Sequence, residues 1–209
     1  MGRRFDLPEW VPLFPLPGVL LLPRSRLPLQ IFEPRYLQML EDVLKTGDRL
    51  IGMIQPSGED DLAPIGCAGR VVEFSEADDG RYMIALRGVS RFRLTEAEQG
   101  FAPYLKGRTD WSDYPQDTGG AETDPGFDRD ALIDRLRRYM ESRDMDADWA
   151  SMAEAPDEAL VNALAMGLPF DPGEKQALLE AETLPDRRRL LTGLIEFALH
   201  DHGQEERLQ

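Results

Sequence analysis

Cysteine and histidine are almost missing from this 209-residue sequence. Cys67 stands alone, so no intramolecular disulfide can form and a reducing compartment suits the chain. It lies in Ile65-Gly66-Cys67-Ala68-Gly69, with no neighbouring His or Lys to favour a thiolate, which reads as a buried structural thiol. His200 and His202 are the two histidines, no Gly-x-Ser-x-Gly elbow accompanies them, and Ser-His catalysis therefore has little to work with. On a helix two imidazoles at this spacing point about 200° apart, so His200-Asp201-His202 reads as solvated helix end rather than a metal site.

A phosphate-cradling loop is absent too. Lys45-Thr46 is the one Lys followed by a hydroxyl residue, and Met39 and Leu44 occupy the positions the two glycines would need. No hydrophobic run is long. Residues 10–23 lack charge, but Pro12, Pro15 and Pro17 break them, Asp6 and Glu9 interrupt the basic start at Arg3-Arg4, and no small-x-small cleavage site follows. The run also falls short of the roughly 20 residues that span a bilayer. Gly2 is followed by Asp6 rather than the hydroxyl residue of a myristoylation signal. A soluble cytoplasmic protein without a membrane partner is expected.

Positive charge is scarce, with 24 Lys and Arg against 39 Asp and Glu and a net charge of -15. Aromatic residues make up 8%. A nucleic-acid partner is disfavoured, because grip on a polyphosphate needs clustered cations and single strands need stacking platforms. The acidity is uneven. Residues 1–109 hold 14 basic and 15 acidic side chains, residues 110–209 hold 10 and 24. Paired acids such as Asp60-Asp61 and Asp78-Asp79 fall in turns, where solvation explains them better than acid catalysis.

What is present divides the chain. Residues 11–16, 27–32, 48–55, 71–74, 82–86, 89–94 and 101–111 read as short strands. Asp78-Asp79-Gly80 between two of them is a hairpin signal. One helix interrupts them over residues 33–44, with Tyr36, Leu37, Leu40 and Leu44 as its apolar stripe, Pro34 in its first turn and Gly47 as its C-terminal cap. Residues 112–127 (SDYPQDTGGAETDPGF) have almost nothing to bury and read as a mobile surface linker or loop. Beyond them the period becomes helical. Leu132, Ile133, Leu136, Tyr139 and Met140 form one stripe, Pro156 opens a second helix that stops at Gly167 and Pro169, Asp171-Pro172-Gly173-Glu174 opens a third, and residues 190–199 mark the last. The expectation is a β-rich domain over 1–111, a linker over 112–127 and a helical bundle over 128–209.

Pro12-Leu13-Phe14-Pro15-Leu16-Pro17-Gly18-Val19, then Leu27-Pro28-Leu29-Gln30-Ile31-Phe32-Glu33-Pro34-Arg35-Tyr36, resemble the N-terminal substrate-binding domain of the ATP-dependent protease Lon. Ile65-Gly66-Cys67, Asp79-Gly80-Arg81-Tyr82, Gly88-Val89-Ser90-Arg91-Phe92-Arg93-Leu94 and Leu168-Pro169-Phe170 continue the likeness in order. The resemblance implies an α+β fold: a PUA-like pseudo-β-barrel of six strands with one inserted helix, followed by a C-terminal helical bundle. It also implies a stand-alone, non-catalytic module for unfolded or partner polypeptides in protein quality control, with no cofactor and no ATPase or Ser-Lys protease activity. A PUA-like RNA-binding module is the alternative, and homo-oligomerisation stays open.

Among the motif residues, Phe14, Leu29, Phe32, Leu37 and Phe92 are expected in the core. Glu33, Arg35 and Tyr36 at the helix entry, with Arg24 and Arg26 in the preceding turn, form the candidate polypeptide-contact edge. The rival for Glu33 is an internal ion pair with Arg91.

Overall fold

Among the described residues, six strands and six α-helices form in the order β1 (Trp10–Pro15), β2 (Arg26–Ile31), α1 (Pro34–Leu44), β3 (Leu50–Ile54), β4 (Ile65–Glu76), β5 (Tyr82–Glu98), β6 (Lys106–Asp110), α2 (Arg129–Ser142), α3 (Trp149–Glu154), α4 (Asp157–Gly167), α5 (Pro172–Glu180) and α6 (Leu184–Glu205). This is a computed structural model that describes residues 7–58, 61–77 and 80–205. Asp78, Asp79 and Asp60, the basic start at Arg3-Arg4, Gly2, Asp6 and the side chain of His202 lie outside the described residues.

The strands run β2-β5-β4-β3-β1-β6 across the sheet, and β5 also pairs with β6. All pairs are antiparallel except β1 with β3. At 17 residues β5 is long enough to serve three neighbours, and the result is the α+β pseudo-barrel. Val11, Leu13, Leu50, Ile54, Ala63, Ala68 and Phe92 fill its interior, with Trp111 edge-on to Phe92 at 5.6 Å.

Seven expected strands become six because one glycine break is not a break, and a second strand starts earlier than expected. Residues 82–86 and 89–94 are one strand running through Gly88, and residues 71–74 belong to a strand that begins at Ile65. Gly88 is where the backbone of residues 22–25 lies against β5: a Cβ there would sit 2.0 Å from the Leu22 carbonyl oxygen. The last expected strand, residues 101–111, shrinks to Lys106–Asp110, leaving Phe101 fully in solvent.

Helix α1 starts at Pro34, where a missing N–H costs nothing. It buries Tyr36, Met39, Leu40 and Val43, so the inward face lies on the other side of Leu40 from Leu37 and Leu44, which are partly exposed. Its end is held by the Thr46 hydroxyl donating to the Val43 carbonyl rather than by Gly47.

Two compact units divide the chain: residues 1–120 with 170–179, and residues 121–169 with 180–209. The start of α5 therefore groups with the strands, whereas the periodicity assigns it to the helical half. Its capping box is reciprocal, with Glu174 N–H donating to Asp171 Oδ1 at 2.8 Å and Asp171 N–H to Glu174 Oε2 at 2.9 Å. Lys175 Nζ donates to the Gly18 carbonyl at 2.9 Å and Gln176 Nε2 to that of Ile65 at 3.0 Å. In the other unit α6 packs on α2 and α4 around Leu132, Leu136, Tyr139, Leu160, Leu164, Leu191 and Ile195. The described α3 is a helix the periodicity did not signal; it buries no residue.

Residues 112–127 are not free of burial. A 3-10 turn at Pro115–Thr118 carries buried Asp117, and Tyr114 and Asp124 are buried as well.

Candidate functional site

Strand β2 hydrogen-bonds as a strand to β5 and ends the sheet order, so it presents an open edge. Its sequence suits that place. Pro28 lacks an N–H and is tolerated where no second neighbour needs one, while Arg26, Pro28 and Gln30 alternate outward and Leu27, Leu29 and Ile31 inward.

The candidate residues flank this strand at its two ends, about 17 Å apart for six extended residues. At the start, the turn over residues 22–25 is pinned by Arg24 N–H to the Gly88 carbonyl at 2.8 Å and Gly88 N–H to the Ser25 carbonyl at 2.9 Å. Arg24 adopts the left-handed region there, with φ 65. Its guanidinium donates to the Asp117 carbonyl oxygen. Arg26 pairs with Glu73 on the neighbouring hairpin, an exposed ion pair that contributes less than about 1 kcal/mol.

At the far end Glu33 is the N-cap residue of α1 without a side-chain cap bond; its carboxylate accepts from Arg35 Nε at 2.9 Å instead. The Arg35 guanidinium lies 4.6 Å from the centre of the Tyr36 ring. Tyr36 itself is buried against Phe14, ring centres 4.2 Å apart, so it supports Arg35 rather than offering a contact surface. Burial raises the Tyr36 hydroxyl above its ordinary pKa, opposed by the charge of Arg35 and reinforced by that of Glu33. The rival ion pair is absent: Arg91 pairs with Asp117, and Glu33 with Arg35. The structure thus unites Glu33, Arg35 and Tyr36, and places Arg24 and Arg26 at the opposite end.

A family profile for the ATP-dependent protease La (LON) substrate-binding domain matches residues 10–196. The chain belongs to the Lon substrate-binding domain family. Lon protease 2 of Myxococcus xanthus is 25% identical over 198 residues, covering 91% of this chain and 24% of that protein. The Lon protease of Desulfosudis oleivorans is 32% identical over 100 residues, 44% of this chain and 12% of its own length. The chain therefore spans a quarter or less of these relatives. A Lon N-terminal domain protein of Xanthomonas campestris superposes with a TM-score of 0.60 at 24% identity, covering 90% of this chain and 97% of that one. The N-terminal domain of the Mycobacterium avium complex Lon protease reaches 0.66 at 14% identity, covering 90% and 98%. These two establish the fold.

In this Lon-type domain the core assignment of Phe32 is corrected: its ring is 62% exposed. Phe74, 55% exposed, and Met83, 45% exposed, lie on the adjoining β4–β5 hairpin, and Met83 is registered between Gln30 and Ser75. The sequence held the signal. Leu27, Leu29 and Ile31 set a period of two, and Phe32 falls out of phase with it.

A cleft of about 320 Å³, mostly apolar with a few polar groups, lies between Trp10, Val43, Asp42, Tyr104 and Lys106. Tyr104 donates to Asp42 Oδ2 at 3.0 Å. Burial, then that hydrogen bond, push the Tyr104 hydroxyl up to about 12. Burial tends to raise Asp42, but hydrogen bonds from Tyr104, Gln38 and Lys45 outweigh it and hold the carboxyl below its usual value. At neutral pH this is a neutral phenol donating to a carboxylate. Among the described residues no cluster of three or more His, Cys, Asp or Glu is arranged to hold a metal ion, and His200 Nδ1 lies 2.7 Å from the Glu196 carbonyl. Cys67 is fully buried. Among the described residues no helix is long and apolar enough to cross a membrane.

Proposed function

We propose that the chain is a non-catalytic polypeptide-binding module that takes unfolded or partner segments in the cytoplasm, as an adaptor or client-binding protein in protein quality control. The observation that carries the reading is the open edge of β2 with Phe32 exposed at its end, in a domain whose family is described by substrate binding. An edge strand supplies unpaired main-chain groups that any extended peptide can bond, and an exposed aromatic adds apolar contact without demanding one sequence. Arg24 and Arg26 at one end and Glu33 and Arg35 at the other give the edge charged boundaries, with Tyr36 as the packing beneath Arg35.

The test is fluorescence anisotropy of a labelled, permanently unfolded polypeptide, reduced and carboxymethylated α-lactalbumin, titrated with the full chain. Saturable binding at micromolar concentration, weakened by Phe32→Asp, is the expected result. No binding at that concentration overturns the reading, and salt-sensitive binding of single-stranded RNA in its place would favour the PUA-like alternative.

A further inference from the structure

The described helices α2, α3 and α4 enclose a cleft of about 410 Å³ whose lining is apolar and rich in methionine: Met140, Met145 and Met152 form its walls, and Ala159, Ala163 and Leu164 of α4 its floor. The sequence builds it locally. Helix α2 ends at Ser142, Asp144 takes a left-handed conformation with φ 51, and Met145 N–H donates back to the Met140 carbonyl at 3.0 Å, which folds Met145 alongside Met140. Ala159, Ala163 and Gly167 recur every four residues on the exposed face of α4, so the floor is low and open. Helix α3 buries none of its residues and is held chiefly by Arg129, whose Nη2 donates to the carbonyls of Met152 and Ala155 at 2.6 and 2.7 Å and whose Nη1 pairs with Asp157 at 2.8 Å.

Charge selects the occupant. Residues 141–154, which carry two of the three methionines, contain Glu141, Asp144, Asp146, Asp148 and Glu154 against Arg143, and Asp146 lines the cleft itself, while Asp157 is taken up by Arg129 and Glu158 is buried. Such a field attracts cationic segments and repels acidic ones before contact. Polarizable, unbranched methionines accept apolar side chains of varied shape.

We propose that this cleft docks a basic apolar segment of a partner polypeptide, with Leu- or Phe-type side chains among the three methionines and flanking Lys or Arg against the carboxylates of residues 141–154. The inference deepens the polypeptide-binding reading and rests on it for the class of ligand, but it assigns a second, chemically selective site.

The probes are three labelled peptides of about 18 residues, long enough for several helical turns: Leu/Lys amphipathic, Leu/Glu with the same apolar positions, and Ser/Lys with the same charges. Anisotropy with the full chain should show micromolar binding of the Leu/Lys peptide that weakens with added salt, and at least tenfold weaker binding of the other two. Ala163→Trp, which fills the floor from an exposed position, should weaken the Leu/Lys peptide at least tenfold. The surface variant carrying Asp144→Asn, Asp146→Asn and Glu154→Asn should weaken it and flatten its salt dependence without touching the apolar lining. Equal binding of Leu/Lys and Leu/Glu peptides, no binding of the Leu/Lys peptide, or indifference to both variants overturns the proposal. If carboxymethylated α-lactalbumin binds and the Leu/Lys peptide does not, the cleft is refuted and the edge-strand reading stands. If the peptide behaves as expected and α-lactalbumin does not bind, the edge-strand reading falls and the cleft stands.

Discussion

Asp117 takes three hydrogen bonds from one residue, Arg91: backbone N–H and Nε to Oδ2 at 2.8 and 2.9 Å, and Nη2 to Oδ1 at 2.8 Å. Neither side chain reaches solvent. The guanidinium also lies 3.8 Å from the Tyr114 ring centre and donates through Nη1 to the Leu179 carbonyl at 3.1 Å. One buried cation on β5 thus gathers the 3-10 turn and the end of the 170–179 segment, all within one unit.

Breaking this pair strands a charge. Asp117→Ala leaves the Arg91 guanidinium buried without its carboxylate, and the expected cost is about 3–5 kcal/mol. Urea denaturation measures it, and a loss below about 1 kcal/mol would mean that water or another carboxylate reaches Arg91.

That ion pair also shows where reading the sequence stops. Asp117 sits in a run of Pro, Gly and acids that has every mark of a solvated loop, and its partner is 26 residues away on a strand. Only tertiary pairing reveals it. Local signals fared better: the Asp171/Glu174 box forms as its spacing dictates. Gly88 misled because glycine in a strand can mark close approach rather than a break. At the candidate site, the grouping of Glu33, Arg35 and Tyr36 was legible, whereas the length of β2 that separates Arg24 and Arg26 from them was not, and the exposure of Phe32 was hidden by treating a whole motif as core. Helix α3 has an Asp148 cap accepting from Ser151 N–H, but no apolar stripe to announce it.

Gly88→Ala places a methyl against the Leu22 carbonyl, which belongs to the backbone and cannot rotate away. The expected destabilisation is about 1–3 kcal/mol or more, as for other overpacked sites. Thermal unfolding reads it, and an unchanged midpoint would contradict the close approach.

The Tyr104–Asp42 pair predicts a pH dependence at both extremes. The folded value of Tyr104, about 12, exceeds its ordinary 10.0, so its stabilisation is fully present below pH 10.0 and is lost as pH rises through about 12. The folded value of Asp42 is depressed, so its contribution is present above the ordinary 3.8 and is lost as pH falls through the lowered value. Urea midpoints across the pH range should show Tyr104→Phe flattening the alkaline loss and reducing the acid one. Identical pH profiles for the two proteins would refute the coupling.

Phe32→Asp should separate binding from folding. The side chain is mostly in solvent, so the thermal midpoint should move little, while affinity for an unfolded polypeptide falls several-fold. A large drop in the midpoint would show instead that the ring contributes to packing.

Asp171→Ala removes one half of a reciprocal cap and should cost about 0.5–2 kcal/mol, with Asp171→Ser recovering much of it. Circular dichroism during urea titration distinguishes the three proteins.

The strand-bearing unit is not contiguous in sequence, since residues 170–179 return to it after the chain has passed through the other unit. On a ribosome this unit stays incomplete after all six of its strands have emerged. Gly18 and Ile65 wait for Lys175 and Gln176, and Arg91 for the carbonyl of Leu179. The same holds for a shortened gene product or a proteolytic piece ending at residue 120: it carries every strand, yet lacks the segment that completes the unit, and it is exposed to aggregation in a way the longer chain is not.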